Sequence, residues 1–385
     1  MSQTRDLNEI GREGMAALRN GDPKTAREKF ESIIAAGDRD ADTWLAVALA
    51  RHGMNDYVAA QQALDEVLRQ SPKNIRALLL KGDCFMAQGD RRAAASFYNA
   101  VVKLVPDPDV FPPEIAKEIY RARAAIEVHQ SNMMKHIEES LEKDGVPLSA
   151  SSARFAESID FLTEKTRRYV ETPRAYYFPD MPPKEFYPRE SFDWMDGLEA
   201  ATGDIANELK AVMDQPSLFA PYIHQEGNRP IRHDHNMLNS NDWSAMFLWR
   251  DGVLNEAVAK SFPKTLEALS TVPMEEVPGR APMVLFSRLA PGAHIEPHSG
   301  FLNSRLICHL PIIVPDDCWL RVGNDARQWE RGKGWVFNDT IEHEAWNGSD
   351  EPRVVLIFSV WRPELTADER KYVASLLQSV DSFAG

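Results

Sequence analysis

Residues 353–361 read RVVLIFSVW and residues 305–314 read RLICHLPIIV. Both are short, continuously apolar and rich in β-branched side chains, and NGSDEP (347–352) and VPDD (314–317) punctuate them. Short runs of this kind, bounded by turn residues, read as strands. Working outward, VLFSRLA (284–290), CWLRVG (318–323) and GWVFND (334–339) read as further strands, separated by APGA, GNDA and RGKG. Several short strands at regular spacing predict an antiparallel barrel or sandwich, beginning near residue 219. FLWRDG (247–252), with Trp243, reads as core and turn. TADERKYVASLLQSV (366–380) reads as a closing amphipathic helix, with Thr366 as its cap and acidic residues in its first turn.

The first hundred residues follow a different rule. Gly21, Asn55 and Gly89 stand 34 residues apart, as do Asp22, Asp56 and Asp90; Ala26, Ala60 and Ala94; and Phe30, Leu64 and Tyr98. Pro72 and Pro106 close the second and third units, whereas the first has Asp40 and its neighbours at that phase. This period and its small/bulky alternation resemble tetratricopeptide repeats. The small residue is expected to let the paired helices approach, and the bulky one to fill the gap against the next unit. Such an array either packs on the catalytic half or recruits a peptide or protein partner. EIAKEIYRARAAIEVHQ (114–130) continues as helix, DGVPLSASSA (144–153) suits a linker, and SARFAESIDFLTEKTRRYVE (152–171) is helix-like. AYYFPDMPPKEFYPRESF (175–192) mixes prolines with aromatics, so it is expected to be ordered cover for a sheet edge. The expected domains are repeats over 1–110, connecting helices and linker over 111–174, a β domain over 175–365 and a terminal helix over 366–385, an α+β multidomain chain.

Composition narrows the partners. A net charge of −14 opposes general nucleic-acid binding, which needs a basic face. No apolar run reaches membrane-span length, and MSQTRDLNEIGREG lacks the apolar core of a signal peptide. Three scattered cysteines make neither a disulfide framework nor a thiolate zinc site. A cytoplasmic protein that binds neither membrane nor nucleic acid is the expectation.

The chemistry is carried by histidines. Four of the ten, His294, His298, His309 and His343, fall between 294 and 343. Neutral imidazoles on adjacent strand ends suit a borderline divalent metal such as Fe(II), although a single histidine in a strand is more often a hydrogen-bonded structural residue. Ten residues beyond His343, Arg353 opens the most apolar strand. A guanidinium there is an edge arginine following a turn, or it is paired with an anion, and a bound carboxylate is a suitable partner. Arg232, His233, Asp234 and His235 form a compact second cluster, better read as a substrate contact or hydrogen-bonded turn than as a ligand set.

From Tyr176 to Leu365 the chain resembles the aspartyl/asparaginyl β-hydroxylases, most strongly in PGAHIEPHSG (291–300), RLICHLPIIVP (305–315), FNDTIEHEAWN (337–347) and VWRPEL (360–365). The resemblance implies a double-stranded β-helix dependent on Fe(II) and 2-oxoglutarate. It implies His298 and His343 as iron ligands, Ser287 and Arg353 on the distal carboxylate of 2-oxoglutarate, and His309 near its metal-binding end. Trp361 is implied to be structural. The usual facial triad places a carboxylate two residues after the first histidine; here, as in the family, that position is a glycine, Gly300. Arg305 matches a substrate-contacting arginine, while an arginine common two residues before the third histidine is replaced by Ile307. Positions 305, 307 and 309 share one face of a strand. The implied activity is hydroxylation of an aspartyl or asparaginyl residue of a peptide or protein, or of a related amino acid. Three rivals stand beside it: halogenation with chloride beside Gly300, a catalytically inactive repeat scaffold, and a cupin-like isomerase with no need of 2-oxoglutarate.

Overall fold

The computed structural model describes residues 2–215, 218–224 and 237–384, and divides the chain into two compact units, Met1–Thr166 and Arg167–Gly385. The 232–235 cluster lies outside the described residues.

The first unit is helical: α1 (Ser2–Arg19), α2 (Pro23–Ala35), α3 (Ala41–Gly53), α4 (Tyr57–Gln70), α5 (Ile75–Ala87), α6 (Arg91–Leu104), α7 (Pro113–Lys143) and α8 (Ala153–Leu162). The repeat follows from its corners. Gly21, Asn55 and Gly89 all have positive φ, the left-handed turn that glycine and asparagine tolerate best. The aspartate that follows each one caps α2, α4 or α6 by accepting a backbone N–H three residues on. Ala26, Ala60 and Ala94 are fully buried, as expected.

Phe30 shares a core cluster with Leu45 and Ala46 of the next helix pair and Tyr98 shares one with Ile119 and Ala122 of α7, as expected, and each ring also meets a glycine. A Cβ on Gly14 would lie 2.8 Å from the Phe30 ring, and one on Gly82 would lie 2.4 Å from the Tyr98 ring. The large residue therefore seats on a glycine in the first helix of its own unit, because only a glycine leaves room for a ring at that separation. The second helix-like run stops early, at Leu162, and residues 163–171 are not helical.

The second unit holds β1 (Ala220–Pro221), β2 (Trp243–Arg250), β3 (Val253–Leu254), β4 (Val284–Leu289), β5 (His294–His298), β6 (Arg305–Ile313), β7 (Cys318–Val322), β8 (Asp325–Gln328), β9 (Trp335–Phe337), β10 (His343–Asn347) and β11 (Arg353–Trp361). Its helices are α9 (Met195–Ala200), α10 (Thr202–Val212), α11 (Glu256–Ala259), α12 (Pro263–Leu269) and α13 (Ala367–Ala384). One antiparallel sheet runs β1-β2-β4-β11-β6-β9, with β3 on β2, and the other runs β5-β10-β7-β8. From β4 to β11 the chain repeatedly crosses between the two sheets, the winding of a double-stranded β-helix.

β11 lies between β4 and β6 and is covered on both faces. Val354, Leu356 and Phe358 pack with Leu198, Ile205 and Phe262 from the helical side. Val355 and Ile357 point into the space between the sheets, with Leu289, Leu320 and Phe337. This two-sided burial explains why its sequence does not alternate. The segment expected to be core and turn belongs to strand β2, with Trp243 and Leu248 in the core and the turn at Asp251 and Gly252. Residues 175–192 cover sheet edges through bridges from Tyr176 to Leu302 and from Phe186 to Phe337. α13 begins with a capping box, Thr366 N–H donating to Glu369 and Glu369 N–H to the Thr366 hydroxyl, and buries Val373 and Leu377 against Leu302 and Trp361. Among the described residues no helix is long and apolar enough to cross a membrane.

Candidate active site

Antiparallel pairing of β5 with β10 sets His298 directly opposite His343, with ring centroids 4.2 Å apart. Each ring is oriented by its own chain: His298 Nδ1–H donates to the Glu296 carbonyl at 2.8 Å, and His343 Nδ1–H to the Ile341 carbonyl at 3.0 Å. With Nδ1 protonated in this way, Nε2 carries the lone pair on both rings, the tautomer a metal requires. Burial depresses His343 to a pKa of about 4, so its imidazole is neutral at physiological pH.

Among the described residues no group of three or more His, Cys, Asp or Glu converges as a metal site, so the pair has no third side-chain ligand of those types there. The reason is visible at Gly300. Its N–H donates to the Asp339 carbonyl at 2.6 Å, and a Cβ there would lie 2.1 Å from Asp339 Oδ2. Any side chain at position 300, a triad carboxylate included, would have to displace the Asp339 carboxylate. Asp339 fills that space, buried, with Oδ1 lacking a hydrogen-bond partner. Sequence reasoning missed Asp339, because its proximity to Gly300 depends on the β5–β10 register.

A cavity of about 460 Å³ opens over this pair and is lined by both sheets. Ser287, His298, Arg305, His309, His343 and Arg353 all line it, so every predicted site residue meets one space. Ser287 is buried on β4, and its hydroxyl accepts from Trp243 Nε1 at 3.2 Å. His309, on β6, has an unpartnered buried Nδ1, and burial next to Arg353 and His343 holds it well below the usual histidine pKa.

Arg353 is the anomaly. It is 1% exposed, no carboxylate among the described residues lies within ion-pairing distance, and its Nε has no acceptor. Its guanidinium lies 4.5 Å from the Trp329 ring centroid, and burial lowers its pKa to about 10. Trp329 was another residue without a sequence signal. Arg305 differs: it sits between Glu275, 3.8 Å away, and Asp339, 3.5 Å away.

The donor set fits a divalent metal with a small dicarboxylate. Two neutral, oriented imidazoles can hold the ion, and an unsatisfied guanidinium at the far end of the same cavity can hold a carboxylate.

Comparison with known proteins agrees with this geometry. Residues 199–363 match the family model for aspartyl/asparaginyl β-hydroxylase, and residues 12–56 and 51–111 match tetratricopeptide repeat models. Human aspartyl/asparaginyl β-hydroxylase is 36% identical over 174 residues, 45% of this chain and 21% of that protein. The mouse protein of the same name is 37% identical over 49% of this chain and 24% of its own length. The ornithine lipid ester-linked acyl 2-hydroxylase of Rhizobium tropici is 32% identical over 46% of this chain and 60% of its own length. The chain thus spans no more than three fifths of each of these relatives. Within the second unit, residues 199–363 thus form a domain that matches the aspartyl/asparaginyl β-hydroxylase family model, and it follows an N-terminal tetratricopeptide-repeat array.

Proposed function

We propose that the second unit is an Fe(II)- and 2-oxoglutarate-dependent dioxygenase that hydroxylates an unactivated C–H bond. The observation that supports this reading is Arg353, a buried guanidinium without a carboxylate, in the same cavity as the paired histidines. Leaving such a group unpaired costs several kcal/mol, on the order expected for an uncompensated buried ion, unless a ligand supplies the anion.

His298 and His343 hold the metal through Nε2. Arg353 and Ser287 take the distal carboxylate of 2-oxoglutarate, and Trp329 fixes the plane of the guanidinium. His309 borders the metal-facing end of the co-substrate. When bound, iron with 2-oxoglutarate and O₂ supplies the oxidising power, while the protein orients the reactants and excludes water. The expected target is an aspartyl or asparaginyl residue or a related amino acid; the name of the Rhizobium relative adds an acyl chain as a second type. The repeat array recruits a peptide or protein partner.

The test is anaerobic titration of the protein with Fe(II) and then 2-oxoglutarate, followed by succinate release in air. The double variant His298→Ala/His343→Ala should lose metal and turnover, and Arg353→Leu should keep metal but lose 2-oxoglutarate. Wild-type turnover in the double variant would refute the reading.

A further inference from the structure

The cations of the cavity divide by whether they already have a counter-charge. Arg353 has none and is committed, on the reading above, to the co-substrate. Arg305, the other buried cation among the described residues of the wall, is flanked by Glu275 and Asp339, and all three side chains are 11% exposed or less. A second anion entering here would meet two carboxyl groups for one guanidinium. Arg174 and Arg250, also on the wall, are exposed and can serve only groups that remain at the rim.

Between the two buried arginines the wall is aliphatic and aromatic. Strand register aligns Phe247 opposite Leu285, Leu285 opposite Ile357, and Ile357 opposite His309, in one row across four strands. Ile307, 6% exposed, stands two residues before His309 on the same face of β6 and carries the row toward Arg305. None of these four apolar side chains offers a donor or a charge.

We infer that the substrate group seated beside the histidine pair is an uncharged aliphatic chain, not a side-chain carboxylate. This rests on the dioxygenase reading and replaces its aspartyl or asparaginyl target with an aliphatic one. A carboxylate placed on this row would lose hydration and gain no partner among the row's own side chains, whereas a methylene chain gains contact along its length. An acyl group and the aliphatic side chain of a peptide share this chemistry.

The experiment is calorimetric titration of the full chain, loaded with Fe(II) and 2-oxoglutarate under argon, with N-acylglycinamides of two to ten acyl carbons. N-acetyl-leucinamide and N-acetyl-aspartic acid α-amide are run beside them. Affinity should rise about fourfold per added methylene until the cavity is filled, and the aspartyl amide should bind more weakly than a neutral amide of its size. Tighter binding of long acyl chains than of the leucinamide assigns the chain to an acyl group; the reverse assigns it to a peptide side chain. Ile307→Arg should abolish the dependence on chain length while 2-oxoglutarate binding reports that the site is folded. If that variant does not fold, Ile307→Ala should weaken the longer chains several-fold. A flat series, or preference for the aspartyl amide, on protein that binds 2-oxoglutarate overturns the inference. Failure to bind 2-oxoglutarate at all instead overturns the parent reading.

Discussion

Lys81 in the first unit and Arg353 in the second are both buried against aromatic rings, and of this pair only Lys81 has a carboxylate. Lys81 on α5 is 8% exposed, pairs with Asp65 and lies 5.1 Å from the Phe97 ring centroid. Arg353 on β11 is 1% exposed and lies 4.5 Å from that of Trp329, with no such partner. The helical unit completes its charge locally, so Lys81 reads as architecture. The β unit leaves its charge incomplete, and incompleteness inside a packed core points to a ligand. The same unit supplies an internal control. Arg362, fully buried one residue past β11, is matched by Glu171 and by the Pro182 carbonyl.

The contrast can be broken or sharpened by substitution. The largest loss of stability should come from Glu171→Ala, which strands Arg362 and also removes the acceptor for Asn303 and Asn338. Denaturant unfolding of the β unit should fall by about 3–5 kcal/mol. Next is Arg353→Leu. In wild type, 2-oxoglutarate at about a hundred times its Kd should stabilise the β unit by about 2.7 kcal/mol. The variant should show no such gain, while its unliganded unfolding midpoint holds or rises; a drop like that of Glu171→Ala would make Arg353 structural too. In the helical unit, Gly82→Ala drives a methyl into the Tyr98 ring and should cost about 1–3 kcal/mol. Asn74→Ala removes the cap that accepts the Ala77 N–H, a loss of about 1 kcal/mol. Smallest is Lys81→Met. Its partner Asp65 is 63% exposed and stays hydrated, so the change should be under about 1 kcal/mol.

These two regions also differ in how much their sequences disclosed. Helical repeats are written in spacing, since Gly21, Asn55 and Gly89 turn the chain and the aspartates after them start helices, all within a few residues. Only the glycines beneath Phe30 and Tyr98 went unread, because a period does not name every helix a ring packs against. In the β unit, β11 was legible to the residue, whereas β2 was taken as core and turn: its Trp-rich run lacks the β-branched signal that marked the others. The histidines, Ser287, Arg305 and Arg353 were identifiable as candidates. Asp339 beside Gly300, Glu275 beside Arg305 and Trp329 beside Arg353 were not. Each depends on pairings between strands far apart in the chain, and no local pattern encodes them.

β11 is hydrogen-bonded on one side to β4 and on the other to β6. Arg353 therefore starts a strand whose backbone cannot slide without breaking two ladders together. The position of this guanidinium within its own sheet is consequently a fixed mark on a ruler. On the dioxygenase reading proposed above, that mark sets where the distal end of a bound dicarboxylate would lie. Phe247, by contrast, sits on β2, nearer the edge of the sheet, where the wall can change without moving the ruler. Descendants of this domain could exchange substrates while keeping one co-substrate, because the two are measured by strands of unequal freedom.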